Sequence, residues 1–164
     1  MRPSAAPGGP VLRGGAGAEQ ALLSEREAQF LRMARVGRLA TADASGRPHV
    51  VPVVFVWHEG FIYTPIDGKP KGDPRRLRRL RNIRENPRVA FLVDRYEEDW
   101  TRLGFLLLRG RADILEGEGT AGERGAAEGL LREKYPQYRE VPLGGPEGLL
   151  IRVAAEGRAS WGNF

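Results

Sequence analysis

Lys69 and Lys71 are two of only three lysines in a chain of 164 residues, and they flank Pro70 at a spacing of two. In extended backbone that spacing puts both ammonium groups on one side. They form a clamp for a phosphate or a carboxylate. Asp73-Pro74 follows directly and predicts a helix start, because aspartate caps free N–H groups and proline lacks the one that would be orphaned. A helix N-terminus favours the same negative charge. Residues 69 to 88, KPKGDPRRLRRLRNIRENPR, hold nine basic and two acidic residues, a local +7 that exceeds the +5 of the whole chain. Leu77, Leu80 and Ile83 define the apolar face of this helix, which is expected to end at Asn86-Pro87. Arg75, Arg78 and Arg79 are then expected to point into solvent, and Arg76, Arg81 and Arg84 to reach an anion at the helix edge.

Other chemistries are excluded or disfavoured by composition. There is no cysteine, which removes disulfides, thiolate metal sites and cysteine nucleophiles and suits a reducing cytoplasm. His49 and His58 are the only histidines, so no metal centre is expected. The longest apolar runs, such as Val50 to Trp57, fall far short of the roughly 18 residues a membrane helix needs. Residues 1 to 18 are mostly Pro, Gly and Ala without the apolar core of a secretory signal. Residues 1–22 are therefore expected to form a flexible tail and residues 23–164 one domain. The isoelectric point near 10.1 invites an anionic partner, though the arginine-rich skew of the basic residues points equally to a GC-rich genome.

The elements that must position the clamp are mostly strands. Ser24-Glu25-Arg26-Glu27 is a capping box that starts a helix, expected to stop at Gly37. Strands are expected over Arg38 to Ala42, Pro48 to Trp57, Phe61 to Pro65, 88 to 94, Gly104 to Leu115 and Gly148 to Ala154. The first two are joined by the turn Asp43-Ala44-Ser45-Gly46, in which Gly46 supplies the positive φ. A further helix is expected over 123 to 134, with GRASWGNF as a tail. Six strands in mostly hairpin succession argue for an antiparallel barrel with flanking helices. No G-x-G-x-x-G follows any strand, so a Rossmann unit is absent. The strand Pro48 to Trp57 is apolar on both faces, as when a barrel wall also meets a partner subunit, and Pro52 within it belongs at an edge or bulge. These residues alone reach an antiparallel barrel, a dimer, and an anion site at one end.

LATADASGRPHVVPVVF, GFIYTPIDGKPK and LRNIRENPRVAFLVD occur in that order. With them the sequence resembles the split-barrel flavin and deazaflavin oxidoreductases of the pyridoxamine 5'-phosphate oxidase-like superfamily over about residues 25 to 160, and is most similar to its coenzyme F420-dependent branch. The resemblance implies a mainly β fold, a six-stranded antiparallel split β-barrel of the FMN-binding type, acting as a homodimer with the cofactor between subunits. It implies that His49, Val50, Val51, Pro52, Val53 and Val54 hold the ring, that Tyr63 and Thr64 approach the ribityl and phosphate region, and that Lys69 and Lys71 bind phosphate. Arg76, Arg81 and Arg84 would extend a basic track for the anionic tail of F420, the cofactor favoured here, with FMN as the alternative. Trp100, Phe105 and Trp161 would roof the ring, and Tyr63 and His49 are the candidate proton donors to a small organic substrate. The Ser-Arg-Lys phosphate triplet of pyridoxamine phosphate oxidases is replaced by Gly-Lys-Pro-Lys, so the resemblance does not extend to vitamin B6 oxidation.

The competing class is a basic nucleic-acid-binding module, for which the charge is suited. Against it, no aromatic residues interleave with the basic stretch. A non-catalytic cofactor or haem carrier on the same barrel is the third reading.

Overall fold

The computed structural model of the chain describes residues 22–66, 76–143 and 148–163. Helix α1 (Glu25–Met33) begins at the capping box, with the Glu27 N–H donating to Ser24 Oγ at 3.3 Å and the Ser24 N–H donating to Glu27 Oε2 at 2.7 Å. The buried Glu27 carboxylate also accepts from Ser160 Oγ at 2.7 Å and lies 3.0 Å from Arg158 Nε, so the helix start is pinned to the last strand. The helix ends at Ala34, three residues before the expected Gly37 stop. Gly37 instead opens strand β1 (Gly37–Ala42), where an added Cβ would sit 2.2 Å from the Phe91 ring; a close approach, and not a left-handed cap, requires the glycine.

β1 pairs antiparallel with β2 (Pro48–Val53) through the expected turn. Asp43 Oδ1 accepts from the N–H groups of Ser45 and Arg47, both at 3.0 Å, and Gly46 has φ +80°. The strand expected to run to Trp57 breaks at Val54-Phe55 and resumes as β3 (Val56–His58), so there are seven strands where six were expected. After β3 come β4 (Phe61–Pro65), helix α2 (Arg78–Glu85), β5 (Arg88–Arg95), β6 (Gly104–Leu115), helix α3 (Ala121–Lys134) and β7 (Leu150–Gly162).

The sheet order is β2-β1-β5-β6-β7-β4-β3, antiparallel throughout. β2 and β3 therefore lie at opposite edges, yet only Val54 and Phe55 separate them in the chain. Three residue steps reach at most about 11 Å. The sheet must curl until its two edges meet at this corner, which makes it a split barrel. The corner's backbone is satisfied by a side chain: Tyr135 Oη accepts from the Phe55 N–H at 3.1 Å and donates to the Phe55 carbonyl at 2.8 Å, with the Arg35 carbonyl as a second acceptor at 3.0 Å.

Inward residues, among them Leu39, Phe55, Phe91, Val93, Leu106 and Ile151, fill the barrel, with Phe55 edge-on to Phe91 at 4.9 Å between centroids. A second core lies outside the sheet, where Leu131, Tyr135 and Tyr138 pack on Val56, Tyr63 and Leu150. β7 is far longer than the expected Gly148 to Ala154. Residues read as a tail pair with β6 to its very start, Trp161 opposite Phe105, across a bulge at Arg109/Gly110.

Candidate functional site

The chain's corner opens a cleft of about 200 Å³ between β2 and β4. Pro52, Val53 and Val54 form one wall and Thr64 and Pro65 the other, with Val36 and Arg79 completing the lining. Strand alternation decides which side chains arrive. On β4, successive residues face opposite ways, so Thr64 and Tyr63 part company. Thr64 is 1% exposed, and its hydroxyl has no hydrogen-bond partner among the described residues. A buried hydroxyl in that state has room for a water or for a ligand's polar group.

Tyr63 goes to the second core. Its hydroxyl donates to Glu123 Oε1 at 2.8 Å, and Arg152 Nη1 donates to the same carboxylate at 3.1 and 3.2 Å while its Nη2 reaches Asp113 Oδ2 at 3.0 Å. Burial, then the hydrogen bond to Glu123, pushes the phenol far above its ordinary range. The structure does not bring Tyr63 together with Thr64 at the cleft, and its proton is already committed.

His49 and Val51 lie on the inward alternation of β2 and Val50 on the outward one, further along the strand than the cleft. The His49 carbonyl accepts from Thr41 Oγ1 at 3.5 Å. Val50 is 62% exposed, so within one chain this strand is covered on its inner face only.

The basic helix is rotated from its expected setting. Asn82 is buried and donates from Nδ2 to Thr41 Oγ1 at 2.9 Å. At about 100° per residue, burying Asn82 beside Leu80 and Ile83 swings the inward face toward Arg79. Arg79, expected in solvent, is half-buried and lines the cleft. Arg76, Arg81 and Arg84 are exposed, and Arg84 Nη2 lies 3.7 Å from Glu116 Oε2. Arg79 is thus a cleft residue that the apolar pattern missed, with an asparagine among arginines as its signal; Val36 and Pro65 were missed as well. Arg75, Lys69, Lys71 and the expected Asp73-Pro74 helix start lie outside the described residues.

Within one chain the expected roof residues lie away from the cleft. Trp100 is 81% exposed on the turn Trp100–Arg102. Phe105 and Trp161 are a cross-strand pair with centroids 6.4 Å apart, on the outward face of β6 and β7.

A family model described as pyridoxamine 5'-phosphate oxidase matches residues 23–159. The chain belongs to that family. Within solved structures, an FAD-binding protein from Mesorhizobium loti is 26% identical, with a TM-score of 0.63 over 84% of this chain and 94% of that one. A conserved hypothetical protein from Mycobacterium tuberculosis, 22% identical with a TM-score of 0.65 over 85% of both chains, shares the fold. A reductase of 5a,11a-dehydrotetracycline and 5a,11a-dehydrooxytetracycline from Streptomyces rimosus is 44% identical over 71 residues, which are 43% of this chain and 48% of the relative. The match spans about half the length of that curated relative. No helix among the described residues is long and apolar enough to cross a membrane.

Proposed function

We propose that this chain is an oxidoreductase that binds the deazaflavin coenzyme F420 at the β2–β4 cleft and moves a hydride to or from a small organic substrate. The single observation that carries the reading is the buried Thr64 hydroxyl, lacking a partner among the described residues, in a cleft that Arg79 also lines. Family membership and the reductase relative support the oxidoreductase class. Pro52, Val53 and Val54 would lie against the apolar ring, Thr64 would hydrogen-bond a polar group of the cofactor, and Arg79 would meet negative charge. Lys69 and Lys71 would bind phosphate. When bound, the deazaflavin supplies two-electron hydride chemistry; the protein's part is to hold, orient and keep water from it.

At about 200 Å³ the cleft is smaller than most ligand pockets, at roughly 300–1,000 Å³. A second copy of the chain is proposed to complete it. Support comes from the outward row Pro52, Arg38, Leu92, Leu107 and Ala159, in register across five strands, beside Val50 and the 54% exposed Trp161. An apolar outer face on a strand already covered within suits a homodimer.

FMN is the alternative cofactor, favoured by the FAD-binding neighbour, since the same cleft suits a flavin ring. The proposed F420 preference rests on the length of the basic track from Lys69 to Arg88. Titrating the purified protein with F420, FMN and haem, followed by absorbance and fluorescence, separates these readings. The expected result is saturable binding of F420 in preference to FMN. Tight FMN binding with no F420 affinity overturns the cofactor choice, and indifference to all three overturns the enzyme reading.

A further inference from the structure

On the other side of the same corner lies a second cavity, of about 310 Å³, whose lining includes Arg32, Val56, Trp57, Leu130, Glu133 and Lys134. It is built by the last turns of α1 and α3 and by β3. Its chemistry differs from that of the cleft. Lys134 is half-buried, with its ammonium 4.3 Å from the centre of the Phe55 ring and 5.5 Å from that of Tyr135. Among the described residues it has neither a carboxylate partner nor a hydrogen-bond acceptor. A cation withdrawn this far from water gains from a paired anion. The two rings and the C-terminal end of α3 favour a cation here, but the rings supply no acceptor for its three N–H groups.

Other charges deepen the imbalance. From α1, Arg32 lies over Trp57 at 5.1 Å, and Arg35, between α1 and β1, lies over Tyr135 at 4.7 Å. From β3 comes His58, 3.8 Å from Glu59, and from α3 itself Glu133. Arg32 has its own partner, Glu25, at 3.3 Å. Glu133 is the one carboxylate in the lining, against the Arg32 guanidinium and the Lys134 ammonium, with Arg35 close behind. The remaining walls, Val56, Trp57 and Leu130, are apolar.

We propose that this cavity binds a small monocarboxylate with an apolar body, its carboxylate on the Lys134 ammonium and its body against Val56, Trp57 and Leu130. Glu133 decides between anions: it would repel a dianionic phosphate more strongly than a single carboxylate. Burial, then repulsion from Arg35, pulls the Lys134 ammonium down to about 8. An anion binds the charged form, so binding raises that midpoint, and affinity falls as pH rises through it. This site is separate from the cofactor cleft, and neither reading depends on the other.

With three lysines in the chain, protein labelled with [6-13C]lysine gives three side-chain carbon signals, and Lys134→Arg identifies the one that matters. Benzoate is the probe and inorganic phosphate at equal ionic strength the control. The expected result is a saturable shift of the Lys134 signal with benzoate and not with phosphate, with its midpoint raised by about one pH unit at saturation, a tenfold preference for the charged form. Lys134→Met is expected to lose at least tenfold in benzoate affinity and Lys134→Arg less than threefold. Glu133→Gln, an exposed change, is expected to tighten binding about threefold, and keeps the test alive if Lys134→Met does not fold. A Lys134 signal indifferent to benzoate, or moving equally with phosphate, overturns the proposal.

Discussion

Tyr63 and Thr64 are neighbours on one strand, and their hydroxyls meet opposite fates. The Tyr63 hydroxyl donates into a network in which Glu123, Arg152 and Asp113 pair with one another, although Arg152 Nε has no hydrogen-bond partner among the described residues. Thr64, one residue on, is as deeply buried and has no partner among the described residues. A hydrogen-bonded hydroxyl contributes to the fold, whereas a buried hydroxyl without a partner has room for a water or for a ligand's polar group. On the proposed function the Glu123 network is scaffold and the β2–β4 cleft is site. Substitutions on the two sides should separate stability from affinity.

The largest effect is expected at the corner that joins them. Tyr135→Phe leaves the Phe55 N–H and carbonyl without their hydroxyl, at about 2–3 kcal/mol. Urea unfolding measures it, and a loss below about 0.5 kcal/mol would mean the corner is held otherwise. Next is Glu27→Gln, expected to cost about 1–2 kcal/mol at neutral pH. Burial by itself would raise the Glu27 carboxyl, but hydrogen bonds from Ser160 and Ser24 and the charge of Arg158 hold it below its ordinary value. Its folded value being depressed, the stability it contributes is full above the unfolded value near 4.5 and lost as pH falls through the folded one. The variant should flatten the acid limb of the stability curve; an unchanged acid limb would remove Glu27 as its cause. Tyr63→Phe is expected to cost about 1 kcal/mol of stability and to leave cofactor affinity unchanged. A large affinity loss there would put Tyr63 back in the site.

Local signals made much of this legible. The Ser24 box, the Asp43–Gly46 turn and the hairpin strands each rest on neighbours in sequence, and they stand where expected. The misses are non-local. Nothing near Val54-Phe55 announces a strand break, because it is imposed by closure of the sheet and held by Tyr135, 80 residues away. The end of β7 looked like a tail because Gly157 and Gly162 interrupt its alternation; pairing with β6 across a bulge overrides that. At the site, Pro52 to Val54 and Thr64 could be expected from the strands, whereas Arg79 could be read only through Asn82, the amide among arginines. Its placement follows from Asn82 burying an amide against Thr41, which no apolar pattern encodes.

The division between scaffold and site is tested most directly at Thr64. Thr64→Val, a near-isosteric change, should be followed by urea unfolding and by cofactor titration on the same preparation. The expected outcome is unfolding free energy unchanged or slightly raised, with F420 affinity weaker by about 1 kcal/mol, or roughly fivefold. Unaltered affinity together with a clear loss of stability would contradict it, making the Thr64 hydroxyl a part of the scaffold after all.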